Sequence, residues 1–209
     1  MAVDPDDLTP EEISLLLSRL QEVGEPCADN TNFPTGFLTG PPRPAAVLIP
    51  FLKKEDRWHI LYTRRTSSLS EHSGQVAFPG GRADRTDSSP EGTALREAFE
   101  EIRLDPDDVR LLGRLNRLLT ITNYCVTPVV GMMPWPYPIG LALDEVSRVF
   151  SIPLYWLADP RNREVRYREM PAPYRSIPVI YFKIFEEELL WGVSAQITLN
   201  LLVALGLDN

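Results

Sequence analysis

The chain has 209 residues, 44% of them hydrophobic, and a formal net charge of −8 at pH 7. This length suffices for one well-packed core, so we expect a single domain over residues 1–209. The negative charge argues against a general nucleic-acid partner, because affinity for the phosphate backbone depends on many Lys and Arg residues. The longest apolar runs fall short of the roughly 20 residues that a membrane span needs, so no membrane partner is expected.

Two features bear on the cellular compartment. The first twelve residues, MAVDPDDLTPEE, are acidic and lack a basic segment followed by an apolar one, which predicts a cytoplasmic location rather than secretion. Cys27 and Cys125 stand far apart, with no CxxC spacing and no histidine cluster beside them. We therefore expect two buried free thiols rather than a disulfide or a zinc site.

The first 44 residues predict one helix and an irregular connection. The helix is LTPEEISLLLSRLQEV, with Thr9 as N-cap, Pro10 in the first turn and Glu12 in the capping-box position. A connection rich in Pro, Gly and Asn follows, up to about residue 44. The next segments predict two strands, AAVLIPFL and WHILYTRR, and a short third one at QVAFP.

The rest of the chain mixes helices with further strands. A helix is predicted over SPEGTALREAFEEIRL, ended by the proline of LDPDD. Strands are predicted at VRLLGRLNRLL, YCVTPVVGMM, SRVFSIPL, EVRYREM, VIYFKIF and ELLWG. A short helical turn at LYWLADP and an apolar helix at SAQITLNLLVALGL complete the pattern. This mixture predicts an α/β sandwich of the α+β type in one domain.

The helix in the middle of the chain carries a concentrated acidic cluster. Arg96, Glu97, Glu100 and Glu101 fall within six residues, and the spacing of the three Glu residues places their carboxylates on one helix face. Such carboxylates repel one another, and a hard divalent cation such as Mg²⁺ would offset that repulsion. The alternative is an ordinary solvated helix face, because Glu-rich surface helices are common.

The FPGG stretch before this helix favours the metal site. Two adjacent glycines after a strand allow positive φ and a close approach of the backbone. They also expose carbonyl oxygens that can serve as ligands, and Gly81 is the candidate for that role. Strand, glycine pair, polar loop and acidic helix together form a specific arrangement.

The same residues resemble the box of the Nudix hydrolases, GX5EX7REUXEEXGU, where U is aliphatic. REAFEE matches the core of the box from Arg96 to Glu101. Counting back from Arg96 places Ser88 at the acidic loop position of the box and Arg82 at its first glycine. One extra loop residue instead restores Gly81 as that glycine and places Asp87 at the acidic position, so the loop acid is open.

The second glycine of the box is replaced by Arg103 in this chain. Glycine suits a left-handed helix end, and an arginine there costs roughly 1 kcal/mol if that geometry is kept. Asp84 and Asp87 are additional candidates for metal binding, although Asp is also a common turn residue. Neither departure from the box changes the three Glu residues of the core.

The resemblance continues on both sides of the box. LYTRRTSSLSEHSGQVAFPGG is similar to the LLTxRxxxLxxHxGQxxFPGG stretch of the coenzyme A pyrophosphatase branch. The segments TNYCVTPVVG, VFSIPLYWLADP and LLWGVSAQI also resemble that branch, so the likeness runs from about Ala45 to the C-terminus. The matching upstream positions are Arg65, Leu69, His72, Gly74 and Gln75.

The resemblance implies a Nudix-type α/β/α sandwich with a mixed sheet and an Mg²⁺- or Mn²⁺-dependent diphosphatase. The expected substrate is a nucleoside diphosphate derivative, with coenzyme A cleaved to 4′-phosphopantetheine and adenosine 3′,5′-bisphosphate. The catalytic residues would be Arg96, Glu97, Glu100 and Glu101. The metal ligands would be Gly81, Glu97, Glu100 and Glu101.

The expected substrate-binding residues are Arg65, His72, Gly74, Gln75 and Arg82. Four arginines near the glycine pair, at positions 64, 65, 82 and 85, form a candidate phosphate clamp or simply balance surface acids. The alternatives for function are hydrolysis of ADP-ribose or a dinucleotide, and a catalytically silent module that binds a nucleotide. A homodimer is left open, as is the carboxylate that accepts the proton. Glu145 and the run Glu186, Glu187 and Glu188 are expected to be solvated, although an acid outside the box assists the reaction in some Nudix enzymes.

Overall fold

The computed structural model describes residues 4–21, 27, 38, 40–67, 74–170 and 176–208. The helices are α1 (Pro10–Gln21), α2 (Pro90–Ile102), α3 (Leu154–Ala158) and α4 (Gly192–Ala204). The strands are β1 (Arg43–Lys54), β2 (Arg57–Arg65), β3 (Val76–Ala77), β4 (Gly80–Arg82), β5 (Arg110–Arg114), β6 (Leu118–Leu119), β7 (Tyr124–Met132), β8 (Val146–Pro153), β9 (Arg163–Glu169) and β10 (Ser176–Phe182).

Strand β1 lies at the centre of a mixed sheet. It runs parallel to β7 and antiparallel to β2 and β4. The main path of the sheet is β3-β2-β1-β7-β5, with β8 joined to β2 and β6 joined to β7. Because successive side chains of a strand point to opposite faces, Leu48 and Leu52 enter one core and Ile49 and Phe51 enter the other.

Helices cover both faces of this sheet. Helix α2 packs on one face through Ala98 and Ile102, while α1 and α4 pack on the other through Ile13, Leu17 and Leu201. The predicted α/β/α sandwich with a mixed sheet is therefore confirmed. Within the described ranges, no helix is long and apolar enough to cross a membrane.

The first helix begins where its capping residues predict. Thr9 Oγ1 accepts a hydrogen bond from the Glu12 backbone N–H at 3.2 Å, and the Thr9 N–H donates to Glu12 Oε2 at 2.9 Å. This reciprocal pair is the capping box. Ile13 and Leu17 are fully buried, so the helix packs by one face, as predicted.

Two predicted strands differ from the structure. VRLLGRLNRLL forms β5 and β6 rather than one strand, because the pairing with β7 shifts register between Leu111 and Gly113 and residues 115–117 are not in strand conformation. The predicted strand at ELLWG is wrong. Trp191 makes only an isolated bridge to Tyr181, and Gly192 already begins α4.

The prediction of two free thiols is also wrong, because Cys27 and Cys125 form a disulfide with a Cα–Cα distance of 5.8 Å. The two residues are 98 positions apart, so their spacing in the sequence carries no information about their contact. Parallel pairing of β1 with β7 places Pro44 beside Cys125, which brings the chain that precedes β1 to the start of β7.

Candidate active site

Helix α2 presents the predicted cluster and is fixed at both ends. Ser89 caps its start, with Oγ accepting from the Gly92 N–H at 3.1 Å, and Pro90 occupies the first turn. The helix ends at Arg103, whose φ of 59° and ψ of 30° are left-handed, and not at the later proline. The left-handed end of the Nudix box is thus kept without its glycine.

Arg96 holds the acidic cluster together. Its Nη1 donates to Glu97 Oε1 at 2.8 Å and to Glu100 Oε2 at 2.9 Å. Its Nε and Nη2 bind both oxygens of Asp87 at 3.1 and 2.9 Å, and Nη2 also reaches the carbonyl of Arg82. The hydrogen bonds to Asp87 raise the pKa of Arg96 further, so this side chain stays cationic and positions the carboxylates around it.

The structure places Asp87, rather than Ser88, at the acidic loop position. Besides Arg96, the Asp87 carboxylate accepts from Thr93 Oγ1 at 2.9 Å and from the Asp84 N–H at 2.8 Å. The Arg96 guanidinium is the main reason that the pKa of Asp87 lies well below its ordinary value. The extra loop residue therefore lies between Asp87 and α2, and the ion pair with Arg96 is retained.

Replacing Asp87 with Asn should lower the free energy of unfolding by about 1.5–3 kcal/mol at pH 7, because hydrogen bonds to a charged group are lost. A depressed pKa means that the folded state favours the ionised form. The stabilisation is therefore complete above the ordinary pKa of 3.8 and is lost as the pH falls towards the lower folded value.

Denaturant unfolding of the wild type and Asp87→Asn at pH 7 and pH 3 measures this difference. Asp84→Asn is the matched control, because Asp84 enters the network through its backbone N–H and carbonyl, and its stability should change by less than about 0.5 kcal/mol. A deficit in Asp87→Asn that is equally large at both pH values would contradict the assignment.

The two adjacent glycines lie inside a strand, and each allows a different close approach. Gly80 and Gly81 belong to β4, opposite Val47 and Ala46 of β1. A Cβ on Gly81 would lie only 2.6 Å from Cδ and Oε2 of Glu97. The carboxylate of Glu97 is therefore seated directly against the backbone of Gly81, and burial raises the pKa of Glu97 while Arg96 opposes that rise.

Glu101 is the most deeply buried of the three Glu residues. It is 3% exposed, and its Oε2 has no hydrogen-bond partner in the described part of the chain. Burial raises the pKa of Glu101 to about 8, and the charges of Glu97 and Glu145 add to the rise. Arg65 and the Gly80 N–H act in the opposite direction.

The donor set fits a hard divalent cation. Glu101 has a buried carboxylate oxygen without a described partner, and the carboxylate of Glu97 lies against Gly81. The charge of Glu145 also repels that of Glu101. A bound cation would offset this concentration of negative charge. Within residues 4–21, 27, 38, 40–67, 74–170 and 176–208, no three His, Cys, Asp or Glu side chains already surround one metal position. Arg96 engages Glu97 and Glu100 in this arrangement.

The predicted substrate-binding residues are only partly brought together. Arg65 lies close enough to Glu101 to lower its pKa, and its Nε is buried without a hydrogen-bond partner among the residues that the structure describes. Gln75 pairs with Arg65 through its backbone carbonyl, and Gly74 has a left-handed φ of 67°. His72 falls in the stretch 68–73, outside the described residues.

The arginines near the glycine pair have different surroundings. Arg64 and Arg65 are neighbours in β2 and point to opposite faces, and Arg64 binds Glu188 at 3.3 Å. Arg82 has an exposed side chain, and its carbonyl, not its guanidinium, contacts Arg96. The charge of Arg65 acts on Glu101 of the acidic cluster.

The surroundings of Glu188 differ from those expected from the sequence. It was expected to be solvated, but its side chain is 3% exposed and binds both Arg64 and Arg148, at 3.3 and 3.0 Å. The residues Glu186 and Glu187 form a turn with φ values of 45° and 70°, which directs Glu188 inwards. No local pattern distinguishes the buried member of three consecutive Glu residues.

Comparison with known proteins identifies the family. A model of the NUDIX domain matches residues 41–135. Over 195 residues the chain is 35% identical to uncharacterized Nudix hydrolases named NudL from Yersinia pestis and Yersinia pseudotuberculosis, covering 93% of this chain and 95% of each relative. The chain therefore belongs to the Nudix hydrolases.

A solved structure of a MutT/nudix family protein from Enterococcus faecalis has the same fold. The superposition gives a TM-score of 0.50 at 13% identity and covers 91% of this chain and 68% of the other. This likeness supports the sandwich architecture described above.

Proposed function

We propose that this Nudix hydrolase cleaves the diphosphate of coenzyme A or its derivatives to 4′-phosphopantetheine and adenosine 3′,5′-bisphosphate. The observation that carries the hydrolytic chemistry is the buried, unpartnered carboxylate oxygen of Glu101 beside the Glu97 carboxylate that is seated on Gly81. The choice of coenzyme A rests on the upstream resemblance around Arg65, Gly74 and Gln75. We take residues 1–209 as one functional domain.

We propose that Glu97, Glu100, Glu101 and the Gly81 carbonyl hold Mg²⁺ or Mn²⁺; Nudix hydrolases generally use divalent metal ions. When bound, such an ion neutralises the anionic diphosphate and lowers the pKa of a water molecule. Arg96 keeps Glu97 and Glu100 in place through its link to Asp87. This network sets the geometry of the carboxylates before substrate arrives.

In the reaction, a water oxygen forms a bond to one phosphorus while the bond from that phosphorus to the bridging oxygen breaks. A carboxylate of the site must accept the proton of the attacking water. Glu145, an exposed acid whose charge acts on both Glu97 and Glu101, is the candidate outside the helix. The unpartnered Nε of Arg65 is available to an anionic phosphate oxygen next to Glu101.

A substrate panel at fixed Mg²⁺ tests the proposed substrate. We expect the highest kcat/KM for coenzyme A, compared with ADP-ribose and a diadenosine polyphosphate. Preference for either of the other two would replace coenzyme A with that class of nucleoside diphosphate. Absence of turnover with every diphosphate, under Mg²⁺ and Mn²⁺, would favour the silent nucleotide-binding module.

A double variant, His72→Ala with Gln75→Ala, separates substrate choice from bond cleavage. If these residues contact a part of coenzyme A remote from the diphosphate, kcat/KM should fall much more for coenzyme A than for ADP-ribose. ADP-ribose turnover serves as the internal control for the metal site. Equal losses on both substrates would assign the segment to the fold or the metal loop.

The proposed location is the cytoplasm. The Cys27–Cys125 pair would be unusual in that reducing compartment. Thiol labelling of freshly lysed cells under denaturing conditions would show both cysteines reduced if the cytoplasmic proposal holds. Full protection of both cysteines from the label would argue for an oxidising compartment.

A further inference from the structure

In the hairpin of β9 and β10, the outer strand β9 has one edge that no described strand pairs with. In the described part of the chain β9 pairs only with β10. Six of its seven residues are exposed, including Val165 at 56% and Tyr167 at 74%. Exposed edges with apolar side chains pair readily with another strand, and soluble proteins usually blunt them with Pro or bulges. The strand β9 contains no proline, so each of its residues has a backbone N–H that can donate. The proline of this hairpin, Pro178, lies in β10.

The sequence of β9 is complementary to itself when read in the opposite direction. Its seven residues, from Arg163 to Glu169, read REVRYRE. Antiparallel pairing of two copies centred on Arg166 places Glu164 opposite Arg168 and Val165 opposite Tyr167. Each pair occurs twice by symmetry, and opposite charges or aromatic with β-branched residues are favourable cross-strand pairs.

We propose that two copies of this chain associate through β9, antiparallel and centred on Arg166, to form a continuous four-stranded sheet. Such a two-fold contact is closed and uses the same surface on both subunits. The proposal concerns a face that is distinct from the carboxylate helix. It does not depend on the substrate of the enzyme.

The pattern of side chains favours one register. A two-fold antiparallel pair must be centred on a residue, because hydrogen-bonded and non-hydrogen-bonded pairs alternate along it. Centring on Tyr167 would place Arg166 opposite Arg168, and like charges opposite one another are destabilising. Centring on Val165 would keep an attractive pair of Glu164 with Arg166 but would lose the match of Val165 with Tyr167. Only the register centred on Arg166 keeps both central pairs.

The centred register brings the two Arg166 side chains together, and the structure shows how their charge is moderated. Arg166 Nε donates to Glu164 Oε1 at 2.7 Å, and its guanidinium lies 4.5 Å from the ring centre of Tyr181. Tyr181 is itself stacked on Trp191, with ring centres 5.4 Å apart. Each Arg166 would also lie diagonally beside Glu164 of the second copy. Arg163 is already paired with Asp208, so the two central pairs carry the specificity.

A charge swap tests this contact by sedimentation equilibrium of the full chain. The wild type should be a dimer. Glu164→Arg or Arg168→Glu alone turns two attractive pairs into two repulsive ones and should weaken the dimer about tenfold or more in Kd. The double variant Glu164→Arg with Arg168→Glu should recover the dimer. Lys54→Glu, an equal charge reversal in the exposed hairpin of β1 and β2, is the matched control and should not dissociate it.

Each outcome of the charge-swap experiment either supports or overturns pairing through β9. A monomeric wild type, or single variants that stay fully dimeric, would overturn pairing through β9. If both single variants lose the dimer and the double variant does not recover it, the register is wrong, provided that circular dichroism shows each variant folded. If a single variant does not fold, the cysteine experiment that follows gives the decision.

A cysteine at the symmetry centre gives an independent readout. Directly opposite residues of an antiparallel pair have Cα atoms about 4.5–5.5 Å apart, within the range of a disulfide. Arg166→Cys should therefore form a covalent dimer under mild oxidation, and Val165→Cys, which would face Tyr167, should do so much less. In the structure Cys27 and Cys125 are bonded to each other, and oxidation of the wild type beside both variants accounts for any crosslink that these two residues form. Equal crosslinking of the two variants, or none in Arg166→Cys, would contradict the register.

Discussion

Replacing Glu101 with Gln should lower kcat by about two orders of magnitude or more while the protein remains folded. The carboxyl group is 3% exposed, and one of its oxygens has no partner in the described residues. The amide keeps the shape and the oxygen that accepts from Gly80, and it places its NH₂ where the unpartnered oxygen was. The substitution removes the negative charge that would bind a cation.

The measurements are kcat with Mg²⁺ and the thermal midpoint in the presence of chelator. Glu91→Gln is the matched control on the same helix, because Glu91 forms only a surface ion pair with Arg114 in the first turn. That pair is worth about 0–1 kcal/mol, and kcat should not change. Wild-type turnover in Glu101→Gln would place the catalytic charge elsewhere, and unfolding of this variant would make Glu101 a structural residue.

The second large effect is expected at the glycine pair, where neighbouring substitutions should have opposite consequences. In Gly81→Ala the new Cβ would lie 2.6–2.7 Å from the three carboxyl atoms of Glu97. A carboxylate is the mobile end of a flexible side chain, so it would move and the fold would be kept. Because a displacement of about 1 Å in a catalytic group can cost 100-fold, kcat should fall by roughly that factor.

Gly80→Ala is the matched comparison. Its Cβ would lie 2.5 Å from the Ala46 carbonyl oxygen and 2.6 Å from the Val47 Cα, both of which are backbone atoms of β1. Backbone in the central strand cannot move easily, so the free energy of unfolding should fall by about 1–3 kcal/mol or more. Chemical denaturation and kcat of both variants separate the effects. A stable, fully active Gly81→Ala variant would contradict the seating of Glu97 on this glycine.

The acidic helix could be predicted from the sequence because its determinants are local. Ser89 and Pro90 mark the start of α2, and the spacing of Glu97, Glu100 and Glu101 fixes their common face. The strands β1 and β2 could also be predicted from the sequence, because a charged turn separates two apolar runs. The position of the loop acid could not be predicted, because the loop length left Asp87 and Ser88 as alternatives. The contact with Arg96 identifies Asp87.

Features that depend on contacts between distant segments could not be predicted in the same way. The Cys27–Cys125 pair depends on the parallel alignment of β1 with β7, which no spacing encodes. Burial of Glu188 depends on Arg64 and Arg148, which reach it from β2 and β8. Arg64 and Arg65 are neighbours in β2, yet Arg64 pairs with Glu188 and Arg65 acts on Glu101, a difference that depends on distant segments.

We propose that this chain hydrolyses a diphosphate with the help of a divalent cation held by the carboxylates of α2. The direct measurement is the rate of 4′-phosphopantetheine formation from coenzyme A with Mg²⁺, after excess chelator, and after renewed addition of Mg²⁺ or Mn²⁺. We expect turnover to fall by about 100-fold or more in chelator and to return with the metal. Undiminished turnover in excess chelator would contradict the account.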